Sequence, residues 1–262
     1  MNLRIIVIWL LSILSIVTAA QTGQDLNRTD KNGRKQGHWI KKYPDGNIMY
    51  DGYFKDDKPT GEFKRFYENN SLKSVLVFNN NGAVANATLY YPNGNVASKG
   101  RYVNQIKEGK WEFYSPSVSN LRISEEEFLH NKRNGASTVF YPDSTVAEKI
   151  NYRNDVRNGE WLKYYPNGVL TMRTTYANGR LNGRFEAYFD NGKPEFLGQY
   201  KNDLREGLWI VYKRNGSQRF RTEYTAGVAN NKDIEIYQSE FIDSLERNKV
   251  KIPDPEKTGQ IW

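Results

Sequence analysis

Few residues in this chain are of the types that carry out covalent chemistry. There is no cysteine, and the two histidines are His38 and His130. Zinc and thiol chemistry therefore lose their usual ligands. His38 falls in a column otherwise filled by Glu62, Asn86, Lys110, Ala136, Glu160, Arg184 and Leu208, which reads as solvent-facing. His130 falls in a column of turn residues with Asp56, Asn80, Asn104, Asn154, Asn178 and Asn202. The run Glu125-Glu126-Glu127 supplies carboxylates, but glycoside hydrolysis needs a partner across a cleft, and the run reads as a solvated charge cluster. Asp30-Lys-Asn-Gly33 has its glycine too early for a calcium loop and lacks the closing glutamate. Gly109-Lys110 lacks the spacing and hydroxyl of a phosphate loop. The expectation is a protein that is no enzyme and uses no metal or cofactor.

What remains is non-covalent recognition. Lys35, Lys107, Arg133, Arg157 and Arg205 each stand two residues before a recurring glycine or its equivalent, a column interrupted by Pro59, Ala83 and Leu181. Spaced roughly 10 Å apart along one edge, such cations suit an acidic protein, an anionic envelope polymer or a phospholipid; turn-proximal charge that keeps a sheet soluble is the plainer account of them. A second column, Tyr90, Tyr114, Tyr164, Tyr188 and Tyr212, offers rings to a protein or to sugars. Its strict period points first to packing between copies.

These columns exist because the chain repeats. GHWIKKYPDG, GEFKRFYENN, ANATLYYPNG, GEWLKYYPNG, GRFEAYFDNG and GLWIVYKRNG are versions of one phrase. Its first residue falls at Gly37, Gly61, Ala85, Gly109, Gly135, Gly159, Gly183 and Gly207, every 24 residues except for one step of 26 at SPSVSN. A fixed period over eight copies marks a repeat array. Four columns of the repeat hold 27 of the 36 aromatic residues. Each copy reads as a β-hairpin: aromatic and β-branched residues suit a pleated surface, Tyr-Pro-Asn-Gly supplies one turn, and Asn-Gly or Asn-Asp the next. Gly52, Gly100 and Gly198 lie on the face of the strand-ending aromatic and are expected to leave room for a neighbour's ring. Adjacent aromatics at positions five and six of each copy imply either a bulge or rings on both faces. One hairpin buries too little to stand alone, so neighbours must stack into one sheet. The fold class expected is all-β: an elongated antiparallel meander of about eight 24-residue hairpins with a short C-terminal cap.

Composition agrees with a thin fold. Aromatics are 14% of residues and mean hydropathy is −0.79, poor material for a deep aliphatic core. Net charge is +8, dispersed in a way that gives no reason to expect a nucleic-acid partner. Residues 1–20 read as a secretory signal: Asn2 and Arg4, an apolar run from Ile5 to Val17, then Thr18-Ala19-Ala20. Cleavage is expected after Ala20, leaving no transmembrane span; the alternative is that the segment stays uncleaved as a membrane anchor. The lack of cysteine in an exported chain suits a bacterial periplasmic or secreted protein. Residues 21–36 read as an edge cap carrying Asp25, Arg28, Asp30 and Lys31, residues 37–230 as the array, and 231–262 as a C-terminal cap and loose tail.

The phrase G-x-W-x-x-Y-Y-P-N-G, followed after a strand by Y-x-N-G-x-x-x-G, resembles the MORN-repeat variant of bacterial proteins known as YwqK-type antitoxins. The likeness runs from about Asn32 to Tyr224. It implies an elongated antiparallel sheet that binds proteins or associates with membranes, and, for an antitoxin, neutralisation of a toxin by contact. The export signal departs from that last role, because a cytosolic toxin would be out of reach. The expected function is thus a non-enzymatic exported scaffold that binds a protein partner at the cell envelope. The alternative is a binder of glycan, anionic polymer or lipid.

Overall fold

The computed structural model describes residues 26–229. The signal segment, the start of the N-terminal cap and the cap and tail after residue 230 lie outside the described residues. Within them the chain forms one sheet of 19 strands, each paired antiparallel with the next in chain order, except that Arg180–Leu181 and Gly183–Tyr188 both pair with Leu170–Ala177. Sixteen strands are 6 to 9 residues long, from Lys35–Lys42 to Gln218–Thr225, and make the eight expected hairpins. Two-residue strands lie at the ends, Arg28–Thr29 and Val228–Ala229, and a third, Arg180–Leu181, leads into Gly183–Tyr188.

Two kinds of turn alternate, each dictated by its residues. In the first, the amide of Gly46 donates to the carbonyl of Tyr43, and Gly94, Gly168, Gly192 and Gly216 repeat the bond in their own copies. The preceding Asn or Asp accepts from the amide two residues on, as Asn167 does from Val169. The second turn is a two-residue loop with both residues at positive φ: Asp56-Asp57, Asn104-Gln105, His130-Asn131, Asn154-Asp155, Asn178-Gly179 and Asn202-Asp203. Primed turns of this kind match the twist of paired strands and favour Asn, Asp and Gly. His130 is thus a turn residue, as its column indicates.

The bulge that adjacent aromatics called for is present in every hairpin. Lys163 pairs with Met172 and Tyr164 with Leu170, leaving Thr171 as an extra residue. The same shift leaves Ala97 and Glu195 extra in their hairpins. Alternation sends adjacent aromatics to opposite faces, and the bulge places its extra residue in the strand that faces them. A second irregularity sits at the recurring glycine, for example between Ile150 and Tyr152 opposite Gly159, whose φ is +107°. Where Ala85 replaces glycine, the pairing of Leu72–Asn79 with Val84–Tyr90 runs without a shift. The glycine therefore encodes the irregularity.

One face carries the core. Gly52, Gly100 and Gly198 lie under the rings of Phe63, Trp111 and Trp209, so close that a Cβ at any of them would sit under 3.0 Å from ring carbons. The expected cradles are real. Rings then meet in series: Phe185 stacks on Trp209 at 5.4 Å, and Trp209 meets Tyr200 at 5.2 Å and Tyr224 at 6.0 Å. Two clusters result, one from Phe63 to Phe113 and one from Ile150 to Tyr224.

Candidate partner-binding surfaces

Alternation along the strands gives the sheet an aromatic face and a polar face. The basic column lies on the aromatic face, directly across from the strand-ending rings: Tyr102 pairs with Lys107, Phe128 with Arg133, Tyr152 with Arg157 and Tyr200 with Arg205. These cations cover the rings. The ammonium of Lys107 lies 4.7 Å from the centre of Trp111 and 4.9 Å from that of Phe128. The Arg133 guanidinium is 4.0 Å from Tyr152, Arg157 5.3 Å from Tyr176, Arg205 5.3 Å from Tyr224, and Lys35 4.9 Å from Trp39. Arg157 and Arg205 also donate to the hydroxyls of Tyr176 and Tyr224. Lys107 is 3% exposed, and the other four are half-buried. A cation over a ring is worth ~0.5–2 kcal/mol, so the column closes the aromatic layer as a lid.

The tyrosine column Tyr90, Tyr114, Tyr164, Tyr188 and Tyr212 lies half-buried on the other side of the bulge, on the polar face. The Tyr114 hydroxyl donates to Glu112 and the Lys99 ammonium lies 5.5 Å from its ring. Burial, then the hydrogen bond to Glu112, pushes the Tyr114 phenol up to about 12. The backbone of this column is spoken for. Tyr67 donates its hydroxyl to the carbonyl of Tyr90, Tyr91 to that of Tyr114, Tyr141 to that of Tyr164 and Tyr165 to that of Tyr188. Burial raises the pKa of all four donors. Tyr43 makes the same bond to Phe66. Turn asparagines add a second ladder: Asn167 donates to the carbonyl of Asp190 and Asn191 to that of Arg214.

The polar face is a field of opposed charges. Arg122 bridges Glu112 and Glu125, Lys110 pairs with Glu125, and Arg173 lies between Glu160 and Glu186. Glu125 is thereby neutralised, while Glu126 alternates to the aromatic face opposite Ser137. His38 also lies here, its Nε2 2.7 Å from Asp51 and its ring stacked on Tyr53 at 4.8 Å. It is half-covered, contrary to the fully solvent-facing reading, because the cross-strand ring of Tyr53 lies over it. Asp30 closes a turn by accepting from the amides of Asn32 and Arg34.

Sequence reading passed over the residues flanking the second turn. Leu129 pairs with Lys132, Arg153 with Val156, Ala177 with Arg180 and Lys201 with Leu204. The signal was available. Each lies one residue from an inward aromatic or cation, or, for Arg180, from Leu181 in the same column, so alternation sends it to the polar face.

The architecture defines the class: an open, single-sheet hairpin-repeat scaffold. A family model described as the MORN repeat variant matches residues 35–56, 59–80, 85–104, 133–154, 157–178 and 181–202. The chain thus carries six MORN-variant repeats, and the resemblance read from its turn residues holds at the level of the repeat. The segments between and after them are the irregular fourth copy and the last hairpin. No curated protein matches the chain. Among solved structures, a chain of one titled "Crystal Structure of TcdB2-TccC3-Cdc42" is similar at 11% identity with a TM-score of 0.21, over 76% of this chain and 12% of that one. This chain thus spans about an eighth of that neighbour's length.

Proposed function

We propose that this chain is a non-enzymatic, exported scaffold that binds a protein partner at the bacterial cell envelope, in the manner of an adaptor or antitoxin-like module that acts by contact. The observation that carries this reading is the division of labour between the faces. The aromatic face is consumed by packing: Trp111, Trp161 and Trp209 are each at most 5% exposed, and the basic column lies over their neighbours. That leaves the polar face, with its half-buried tyrosines and its charge rows, as the surface that repeats without serving cohesion. Stacking of sugars on tryptophan has no support in this arrangement. Export rests on the pattern of residues 1–20. The partner role rests on repeat arrays presenting extended surfaces that suit macromolecules.

The test is to produce the full chain in a bacterium with a photo-crosslinker at Tyr164 or Lys149 on the polar face, or at Trp161 on the aromatic face. The expected results are a mature N-terminus at Gln21, an envelope fraction, and one discrete crosslinked protein from the polar-face positions alone. A cytoplasmic chain with its first 20 residues intact, or no polar-face crosslink, defeats the proposal.

A further inference from the structure

An apolar strip crosses the C-terminal half of the polar face. It runs through Tyr164, Leu170, Tyr188, Pro194 and Tyr212, all half-buried. Tyr164 pairs with Leu170 and Tyr188 with Pro194, so each ring shares its face with an aliphatic neighbour on the next strand. A single strand, Leu170–Ala177 or Pro194–Lys201, separates each tyrosine from the next. The rings therefore recur at a regular step of roughly 10 Å. Nearer the N-terminus the same column is closed by charge. The Lys99 ammonium lies 5.5 Å from the Tyr114 ring, Tyr114 pairs with Arg122, and Arg122 lies 4.3 Å from the Phe140 ring. Among the described residues no cation or second ring lies over Tyr164, Tyr188 or Tyr212, and the hydroxyls of Tyr164 and Tyr212 make no hydrogen bond. The strip thus presents rings, aliphatic gaps between them and two hydroxyl donors.

Chemistry and pitch together select the occupant. The strands beneath the strip are paired on both sides, and the carbonyls of Tyr164 and Tyr188 already accept from Tyr141 and Tyr165. An added β-strand finds no backbone partner there. A helix spends its carbonyls on itself and gives the tyrosine hydroxyls no acceptor. A glycan would set hydroxyls against Leu197 and Ile210, which pair beside Tyr212, and lose their hydrogen bonds. A flat membrane cannot meet all three rings, because strands rotate by roughly 20–25° each and four strand steps separate Tyr164 from Tyr212. A proline-rich chain meets each demand. Proline supplies an apolar ring and no N–H. Polyproline II has no internal hydrogen bonds, leaves its carbonyls open as acceptors, and repeats every three residues, about 9 Å. A chain this thin can turn with the row. We propose that this strip docks a proline-rich segment of the protein partner, about seven residues long and in polyproline II conformation, with prolines against the three rings and carbonyls accepting from the hydroxyls of Tyr164 and Tyr212. The inference rests on the protein-scaffold reading above and names the chemistry of the partner.

The test uses the chain as purified from the producing bacterium and three fluorescent peptides of equal length: repeats of Ala-Pro-Pro, of Ala-Gly-Gly, and a helical Leu-Glu-Ala-Lys repeat. Anisotropy should show the Ala-Pro-Pro probe binding roughly tenfold tighter than the others, because it is already in the bound conformation. Salt should change that binding little, since no ion pair forms. Tyr164→Ala with Tyr212→Ala should abolish it. Tyr164→Phe with Tyr212→Phe keeps the rings and removes the donors; it should weaken binding by about threefold to tenfold and leave the melting point that of the parent. Tyr114→Phe, whose hydroxyl is tied to Glu112, should change nothing. No binding of the Ala-Pro-Pro probe, equal binding of either other peptide, or binding that survives both the Ala and the Phe pairs overturns the inference. So does tighter, tyrosine-dependent capture of chitohexaose or of phosphatidylglycerol vesicles. If excess Ala-Pro-Pro peptide leaves the envelope crosslink from Lys149 untouched, this inference fails while the scaffold reading stands; if the parent never crosslinks, the scaffold reading fails.

Discussion

Gly198 offers the sharpest test of how a one-layer sheet holds together. Alanine in place of a strand glycine ordinarily stabilises, by ~0.5–1 kcal/mol, because it narrows the unfolded ensemble. Here the new Cβ would sit under 3.0 Å from three ring carbons of Trp209, where carbons in contact prefer ~3.5–4.0 Å. The ring would have to lift by about an ångström. It has no free direction, with Phe185 stacked at 5.4 Å and Tyr200 against it at 5.2 Å. Overpacking of this kind costs ~1–3 kcal/mol. Gly198→Ala is therefore expected to lose about 2 kcal/mol net, which for an array of this size lowers Tm by roughly 4–8 °C. The decisive comparison is a double-mutant cycle with Trp209→Ala, followed by urea denaturation. With the ring gone, Gly198→Ala should become neutral or mildly stabilising. An unchanged Tm in the parent background, or the same loss in both backgrounds, would refute the cradle. If Trp209→Ala does not fold, the cycle moves to Gly52 and Phe63, which repeat the contact near the other end of the array.

Three further outcomes are expected. Tyr165→Phe removes the hydroxyl that bonds the Tyr188 carbonyl and should cost ~0.5–1.5 kcal/mol, whereas Phe189→Tyr, at the same position one copy later, should extend the ladder to Tyr212 and raise the urea midpoint; a fall would show that the ladder cannot continue there. Gly61→Ala, at φ +63°, should cost ~1–2 kcal/mol for the left-handed backbone alone, while Ala85→Gly, in a ladder with no shift, should also destabilise, by ~0.5–1 kcal/mol; urea midpoints that rise for either contradict the role given to the recurring glycine. Stability should fall with alkali. Tyr67, Tyr91, Tyr141 and Tyr165 hold their protons more tightly folded than unfolded, mainly through burial, and Tyr114 does so up to about 12; their contribution is whole below an unfolded phenol pKa of ~10 and lost as pH climbs toward the folded values. A melting point that stays level or rises from about pH 9 to about pH 12 would show that the buried phenols are not coupled to folding.

The repeat was legible because its cues are local and agree with one another. Tyr-Pro-Asn-Gly, Asn-Asp and the cradle glycines each specify a backbone state or a missing Cβ, and each did so in the folded chain. The same alternation that places Gly52 beneath Phe63 places Arg157 over Trp161, whereas residue type alone suggests a cation ladder for a partner or charge for solubility. Face parity outranks charge: a guanidinium beside a ring on a one-layer sheet gains more by covering it than by standing free. The tyrosine ladder could not be read at all, because its acceptors are carbonyls 23 residues away, which sequence does not label. The cations flanking the second turn escape a sequence reading for a different reason. Their column mixes Lys and Arg with Val and Leu, and only the pairing across the turn shows that each cation has an aliphatic opposite.

The irregular fourth copy shows what happens when the compensation between columns fails. Along the central row the side chains trade volume: Gly100 lies under Trp111, Leu76 faces Ala87, and Ile150 faces Trp161. At the fourth copy Glu126 faces Ser137, so neither a ring nor a cradle is present, and the two hydrophobic clusters end on either side of it. The insertion has its own substitute turn, in which the Ser115 hydroxyl accepts from the amides of Ser117 and Val118. Backbone pairing nevertheless runs straight through, from Arg122–Leu129 to Lys132–Phe140. Continuity of the sheet is thus set by turns and ladders, which every copy keeps, and the aromatic layer adds cohesion within each half.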